Sequence, residues 1–215
     1  MTEEFDLSAP EGREQIAAHA AQNKKVMSKL ITLLSGSSRS DRQHAASTVA
    51  IVATIDANRL VIHMADISDA LNRPEAQTRW EVLNALCGIV KIGHAPSAET
   101  VAAAEEALYD EDSGIVREAA FRFFCTYGAT SGVASKEVWP LIDEAIQCYH
   151  GNPEFTDMLT ALVEFAEGEV DTDVSTALAD RMRFDAENGR GTLRMRSGQI
   201  VEICSKRAAK SNRGK

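Results

Sequence analysis

The chain has 215 residues, 44% hydrophobic and 26% charged, with a formal net charge of −9. That length suits one compact domain or a short repeat array, and that balance excludes a wholly disordered chain. No run reaches the roughly 18 consecutive apolar residues of a membrane-crossing helix.

Residues 1–6 are acidic, without the basic start and apolar core of a signal peptide. The four cysteines, Cys87, Cys125, Cys148 and Cys204, form no CxxC pair. A cytoplasmic chain with reduced thiols is expected. Charge is unevenly spread: residues 1–180 carry 13 Lys and Arg against 29 Asp and Glu, while residues 181–215 carry 10 against 3. An acidic body opposes broad nucleic-acid binding.

In chain order, residues 8–34 predict an N-terminal helix or helix pair. Ser8 and Glu11 have capping-box spacing, and Leu30, Ile31, Leu33 and Leu34 supply apolar surface. Ser35-Gly36-Ser37-Ser38 reads as a loop. A repeat then begins. Arg42, Arg79, Arg117, Asp157 and Arg196 recur at intervals of 37, 38, 40 and 39. Four residues after each stand Ala46, Leu83, Phe121, Ala161 and Ile200, and eight after stand Ala50, Cys87, Cys125, Phe165 and Cys204. The seventh positions are Val49, Leu86, Phe124, Glu164 and Ile203. Offsets of four, seven and eight share one helix face.

Second helices are expected between these anchors, at about 58–72, 97–109, 136–149 and 172–187. Leu60, Met64, Ile67 and Leu71 form one apolar stripe, and Val138, Ile142, Ala145, Ile146 and Tyr149 another. Ser97 is an expected N-cap with Glu99 in the first turn. Pro140 is read as marking a helix start, and Asn152-Pro153 as an N-cap followed by N1 proline.

The clearest unit is Leu108-Tyr109-Asp110-Glu111-Asp112 followed by Val116-Arg117-Glu118-Ala119-Ala120. It resembles the HEAT-repeat consensus, and Val138-Trp139-Pro140-Leu141-Ile142 resembles the start of that repeat's second helix. The resemblance covers about residues 40–187, with Asp157 departing from the arginine. It implies an all-α, right-handed α-solenoid of about four HEAT-like helix pairs with an extra helical element at each end. The expected layout is a single domain over 1–209. It has N-terminal capping helices at 8–34, pairs at 40–72, 76–109, 113–149 and 153–187, and a C-terminal capping helix at 193–209. Residues 210–215 read as a disordered basic tail. The resemblance also implies that the anchor arginines pair with an acidic or carbonyl partner of an adjacent repeat, Arg117 with Asp110 being the best matched.

Little in the sequence points to chemistry. His19, His44, His63, His94 and His150 are not followed by glutamate, and there is no HExxH and no His/Cys spacing suited to zinc. GxGxxG, GxxxxGK[ST] and GxSxG are missing. No catalytic residue, cofactor or metal is expected. Three cysteines share one repeat position and read as small packing residues. Arg59, His63 and Asp66 share one polar helix face. The family's second helices line a concave surface, and the outward positions there include Glu99, Glu106, Asp143, Glu144, Gln147 and Asp180. A negative groove selects a basic partner.

The resulting expectation is a non-enzymatic protein–protein interaction module or scaffold, monomeric or dimeric. It would bind a protein or peptide with a basic patch, and no membrane. Nucleic acid enters only through the basic tail of Arg181, Arg183, Arg190, Arg194, Arg196, Lys206, Arg207, Lys210, Arg213 and Lys215, which otherwise caps the array. The alternative is a HEAT-like enzyme of the alkylpurine DNA glycosylase type, which needs an aromatic beside a carboxylate. Trp139 and Asp143 are the nearest match, and the acidic surface opposes it. A HEAT-type bilin lyase has only the fold in its favour.

Overall fold

A computed structural model describes the backbone of residues 7–213 and the side chains of residues 7–209. The acidic residues 1–6 and the basic side chains of Lys210, Arg213 and Lys215 lie outside that description. Among the described residues every regular element is a helix, and there is no strand. The chain divides into two compact units, residues 1–120 and 121–215, the division falling inside one helix.

In the first unit, α1 (Pro10–Gln22) and α2 (Lys24–Leu33) meet at Asn23. The Asn23 side chain accepts from the backbone N–H groups of Lys25 and Val26 at 3.0 and 3.4 Å, so it caps α2. The extra N-terminal element is therefore a helix pair. The expected Ser8–Glu11 box does not open it. The N-cap is Ala9, which makes no side-chain cap bond, and Pro10 occupies the first turn, where its missing N–H costs nothing.

α3 (Arg39–Asp56) follows and packs on α1 and on α5 (Ala76–Lys91). Part of the helical run Arg39–Asn72 is long and apolar enough to cross a membrane by length and composition alone. In this fold Ala45, Ala46, Val49 and Val52 of that run are core residues.

The second helix of this pair departs from the continuous helix expected over 58–72. Residues 57–63 are a 3₁₀ segment, followed by α4 (Met64–Asp69) and a second 3₁₀ turn over 70–72. Asp56 is the local cause: its carboxylate accepts from the Asn58 N–H and from Arg59 Nε, both at 3.2 Å, which tightens the first turn. Leu60, Ile67 and Leu71 keep their place in the core, while Met64 is half-buried. α6 (Ala98–Leu108) packs on α4, and Ser97 caps it as expected. The first half of α7 (Gly114–Gly128) completes this unit.

The second unit holds the rest of α7, then α8 (Gly132–Tyr149), α9 (Phe155–Glu167), α10 (Thr172–Asn188) and α11 (Gly191–Arg213). Two expectations need correction. Pro140 lies in the interior of α8 rather than marking its start. The start is set by Ser131, whose hydroxyl accepts from the Ala134 N–H at 3.1 Å. Asn152 and Pro153 do not open α9. They form a turn closed by the Phe155 N–H on the Asn152 carbonyl at 3.1 Å, and Glu154 is the N-cap. α11 packs on α9 and α10, and α10 on α8. Two close backbone approaches require glycine. A Cβ on Gly128 would come within 2.7 Å of Phe165 and Val138, and one on Gly168 within 2.5 Å of the Ala129 methyl.

The repeat register is visible in burial. Ala46, Leu83, Phe121, Ala161 and Ile200 are all core residues, whereas Glu164, the odd residue of its series, is exposed. Cys125 and Cys204 are buried and Cys87 is half-buried, all in the expected packing position; Cys148 is exposed. Burial raises the Cys204 thiol above its ordinary range, so its thiolate is disfavoured.

The anchor arginines tie successive elements together. Arg42 pairs with Glu75, which stands just before α5, and also donates to the carbonyls of Gly36 and Ser37 at 2.7 and 3.0 Å. Arg79 pairs with Asp110, which stands before α7, and Arg117 donates to the Asp110 carbonyl at 2.7 Å. In the second unit Asp157 is exposed, and Arg196 donates to Gln199 at 3.2 Å.

Candidate functional site

The sequence places the candidate residues on second helices, and the structure distributes them over both units. In the first unit, Arg59, His63 and Asp66 come together on the 57–69 segment. His63 Nδ1 lies 3.9 Å from an Asp66 carboxylate oxygen, and Arg59 bonds back to Asp56. His63 is largely covered, while Arg59 and Asp66 are exposed.

This segment faces α2 across a groove with two lobes. One, of about 280 Å³, runs from Ala20, Lys24 and Met27 to Arg59, Ile62 and His63. The other, of about 410 Å³, is bounded by Ile31, Thr32, His63, Asp66 and Asp69. His63 and Ser28 line both lobes, so the two adjoin. Lys24, Met27 and Ile62 were not singled out from the sequence. The signal was present in Asn23 followed by Lys-Lys-Val-Met-Ser-Lys-Leu-Ile, which marks α2 as a second helix with its own inner face.

Glu99 and Glu106 are both exposed, and their seven-residue spacing on α6 places them on one helix face. α6 is held in register with α4 by a 2.8 Å bond between the Ser68 and Thr100 hydroxyls. The Glu99 carboxyl is held below the usual range by its own backbone N–H and then by the Ser97 hydroxyl, so it stays ionised near neutral pH. Across this unit the charge on second helices changes sign. α2 exposes Lys24, Lys25 and Lys29, the 57–69 segment is mixed, and α6 exposes Glu99, Glu105 and Glu106.

In the second unit the candidate carboxylates are partly neutralised. Asp143 on α8 accepts two bonds from Arg181 on α10, at 2.6 and 2.8 Å, and a third from Gln147 at 3.1 Å. Asp180 pairs with Arg183 at 2.6 Å. Glu144 is exposed. Trp139 is half-buried one turn before Asp143. With both oxygens of Asp143 already engaged, that carboxylate is poorly placed to hold a damaged base, which weakens the glycosylase alternative.

Part of the basic tail has a structural use. Arg207 donates to the carbonyls of Val170 at 3.0 Å and Ala166 at 2.9 Å, and also to that of Gly168, closing the C-terminal end of α9. Among the described residues no group of three or more His, Cys, Asp or Glu is arranged to hold a metal ion.

No family model and no curated protein matches this sequence. Solved structures do match. An engineered protein from the Northeast Structural Genomics Consortium is similar over 95% of each chain, with a TM-score of 0.68 and 16% identity. A designed armadillo repeat protein is similar over 92% of this chain and 96% of its own, with a TM-score of 0.62 and 13% identity. Another, solved in complex with the peptide (KR)4, has the same coverage and TM-score at 12% identity. These likenesses show the fold: stacked helix pairs of the armadillo/HEAT-type α-solenoid.

Proposed function

We propose that this chain is an interaction module without catalytic activity, binding a basic segment of another protein on the exposed faces of its second helices. The observation that carries this reading is the set of exposed carboxylates in the first unit, Asp66 on α4 and Glu99 and Glu106 on α6, on helices that pack together. Exposed carboxylates attract a cationic segment and speed its encounter. The structural likeness to a designed repeat protein that carries a (KR)4 peptide supports the same partner class.

The test is fluorescence anisotropy with labelled (KR)4 at low and high salt. The expected outcome is saturable binding that weakens at least about tenfold at high salt. A Glu99→Lys, Glu106→Lys double variant, with both changes on exposed positions, is expected to weaken binding by a similar factor. Undetectable binding at low salt, or binding indifferent to both salt and charge reversal, overturns the reading. Retention of duplex DNA by the full chain would point instead to the basic tail.

A further inference from the structure

The groove between α2 and the 57–69 segment differs from the carboxylate set in having two chemically distinct ends. At one end stand Lys24 and Arg59, at the other Asp66 and Asp69. Between them the floor is apolar, formed by the nearly buried Met27 and Ile31 with Ile62 at the rim and His63 at the junction. Ile62 is 79% exposed, a large side chain left in water at the rim of a cleft. The existing pairs do not cancel this polarity. Arg59 to Asp56 and Asp69 to Arg73 are exposed pairs formed within one turn, which are weak and readily exchanged for a ligand.

The spacing of the two ends sets the ligand. From Arg59 to His63 the chain climbs as a 3₁₀ segment, and from there to Asp66 as α-helix. The ends are therefore about 12 Å apart along the axis. An extended peptide covers that distance in about four residues. We propose that this groove binds an extended segment of a partner protein carrying an acidic and a basic residue four positions apart with an apolar residue between. The acidic side chain meets Lys24 and Arg59, the basic one meets Asp66, and the apolar one lies against Met27 and Ile62. The proposal rests on the interaction-module reading and adds to it where a bound segment starts. The lysines of α2 reject a uniformly cationic chain at this end.

The experiment uses the full chain and three labelled peptides of equal length with blocked ends. One carries Asp and Lys four positions apart with Leu between them. The second has Lys at both charged positions, and the third has Asp at both. The mixed peptide is expected to bind at least about tenfold more tightly than either like-charged peptide. Lys24→Glu, Asp66→Lys and Ile62→Ser, all exposed positions with no core role, are each expected to weaken it severalfold. Equal binding of the three peptides, or a dissociation constant for the mixed peptide unmoved by Lys24→Glu and Ile62→Ser, overturns the proposal. If (KR)4 binds and the mixed peptide does not, the groove proposal fails while the broader reading stands; if neither binds, both fail.

Discussion

At the scale of single residues, the arginine row is the part of the sequence whose structural role is clearest. Arg42 holds the nearly buried Glu75, and its hydrogen bonds are the main reason that the Glu75 carboxyl titrates below the usual carboxylate range. A carboxyl whose pKa is lowered by folding stabilises the fold above its unfolded pKa of about 4.3, and that contribution is lost as pH falls through the folded value. Glu75→Gln is therefore expected to lower the melting temperature at pH 7. The gap between variant and wild type should close as the pH is taken below about 4; a gap that stays constant across that range would remove the pair from the account. Arg207 makes a second case. Replacing it with alanine leaves the carbonyls of Ala166, Gly168 and Val170 without their donor. The expected loss is about 2 kcal/mol in denaturant unfolding, the cost of leaving covered backbone acceptors unsatisfied. The recurrence of the arginines was legible at intervals near 38 residues because a repeated packing position needs a repeated residue. Of their partners only Asp110, whose carbonyl accepts from Arg117, was legible. Glu75 is 33 residues from Arg42, and Arg207 looked like one more charge in a basic tail, since a sequence shows charge and not the carbonyls that meet it.

At the scale of elements, helix periodicity located nearly every helix within a few residues, and the errors fall where a local exception overrode it. Pro140 illustrates one. Proline is usually confined to a first turn, yet here the helix starts eight residues earlier because Ser131 caps it. A proline in that interior position removes the bond that its N–H would have made to the Lys136 carbonyl. Pro140→Ala is expected to stabilise the chain, by up to about 3 kcal/mol, measured by urea denaturation. A destabilised variant would show that the surrounding packing is fitted to the proline. Gly168→Ala should have the opposite effect, a loss of about 1–3 kcal/mol, because its Cβ would meet the Ala129 backbone and the Glu169 N–H bond to the Ala129 carbonyl at 2.7 Å fixes that approach. The 57–72 segment was legible as a helix but not as a broken one, since the capping bonds of Asp56 depend on side-chain rotamers. The candidate site shared that limit. Arg59, His63 and Asp66 were readable from their three- and four-residue spacing, whereas Lys24 and Met27 came from an element read only as a cap.

At the scale of the molecule, each compact unit carries one of the two tryptophans, Trp80 in the first and Trp139 in the second. In a repeat array, a local loss of stability is felt most by neighbouring elements. Gly168→Ala introduced into Trp80→Phe and Trp139→Phe backgrounds is expected to shift the fluorescence transition reported by Trp139 more than that reported by Trp80. Equal shifts would mean that the chain unfolds as one cooperative block. The links between successive pairs have a further consequence in the first unit. Arg42 reaches the acid that opens the next pair, and Arg79 does the same one period later, so every link is written in the stretch that also encodes the helices it joins. A tandem duplication of one period, for instance residues 73–110, would carry its own arginine and its own acid. It would present a matching edge at each seam. Such a chain is open to lengthening by unequal recombination, and its ligand-binding surface can grow by whole modules without a new fold having to be invented.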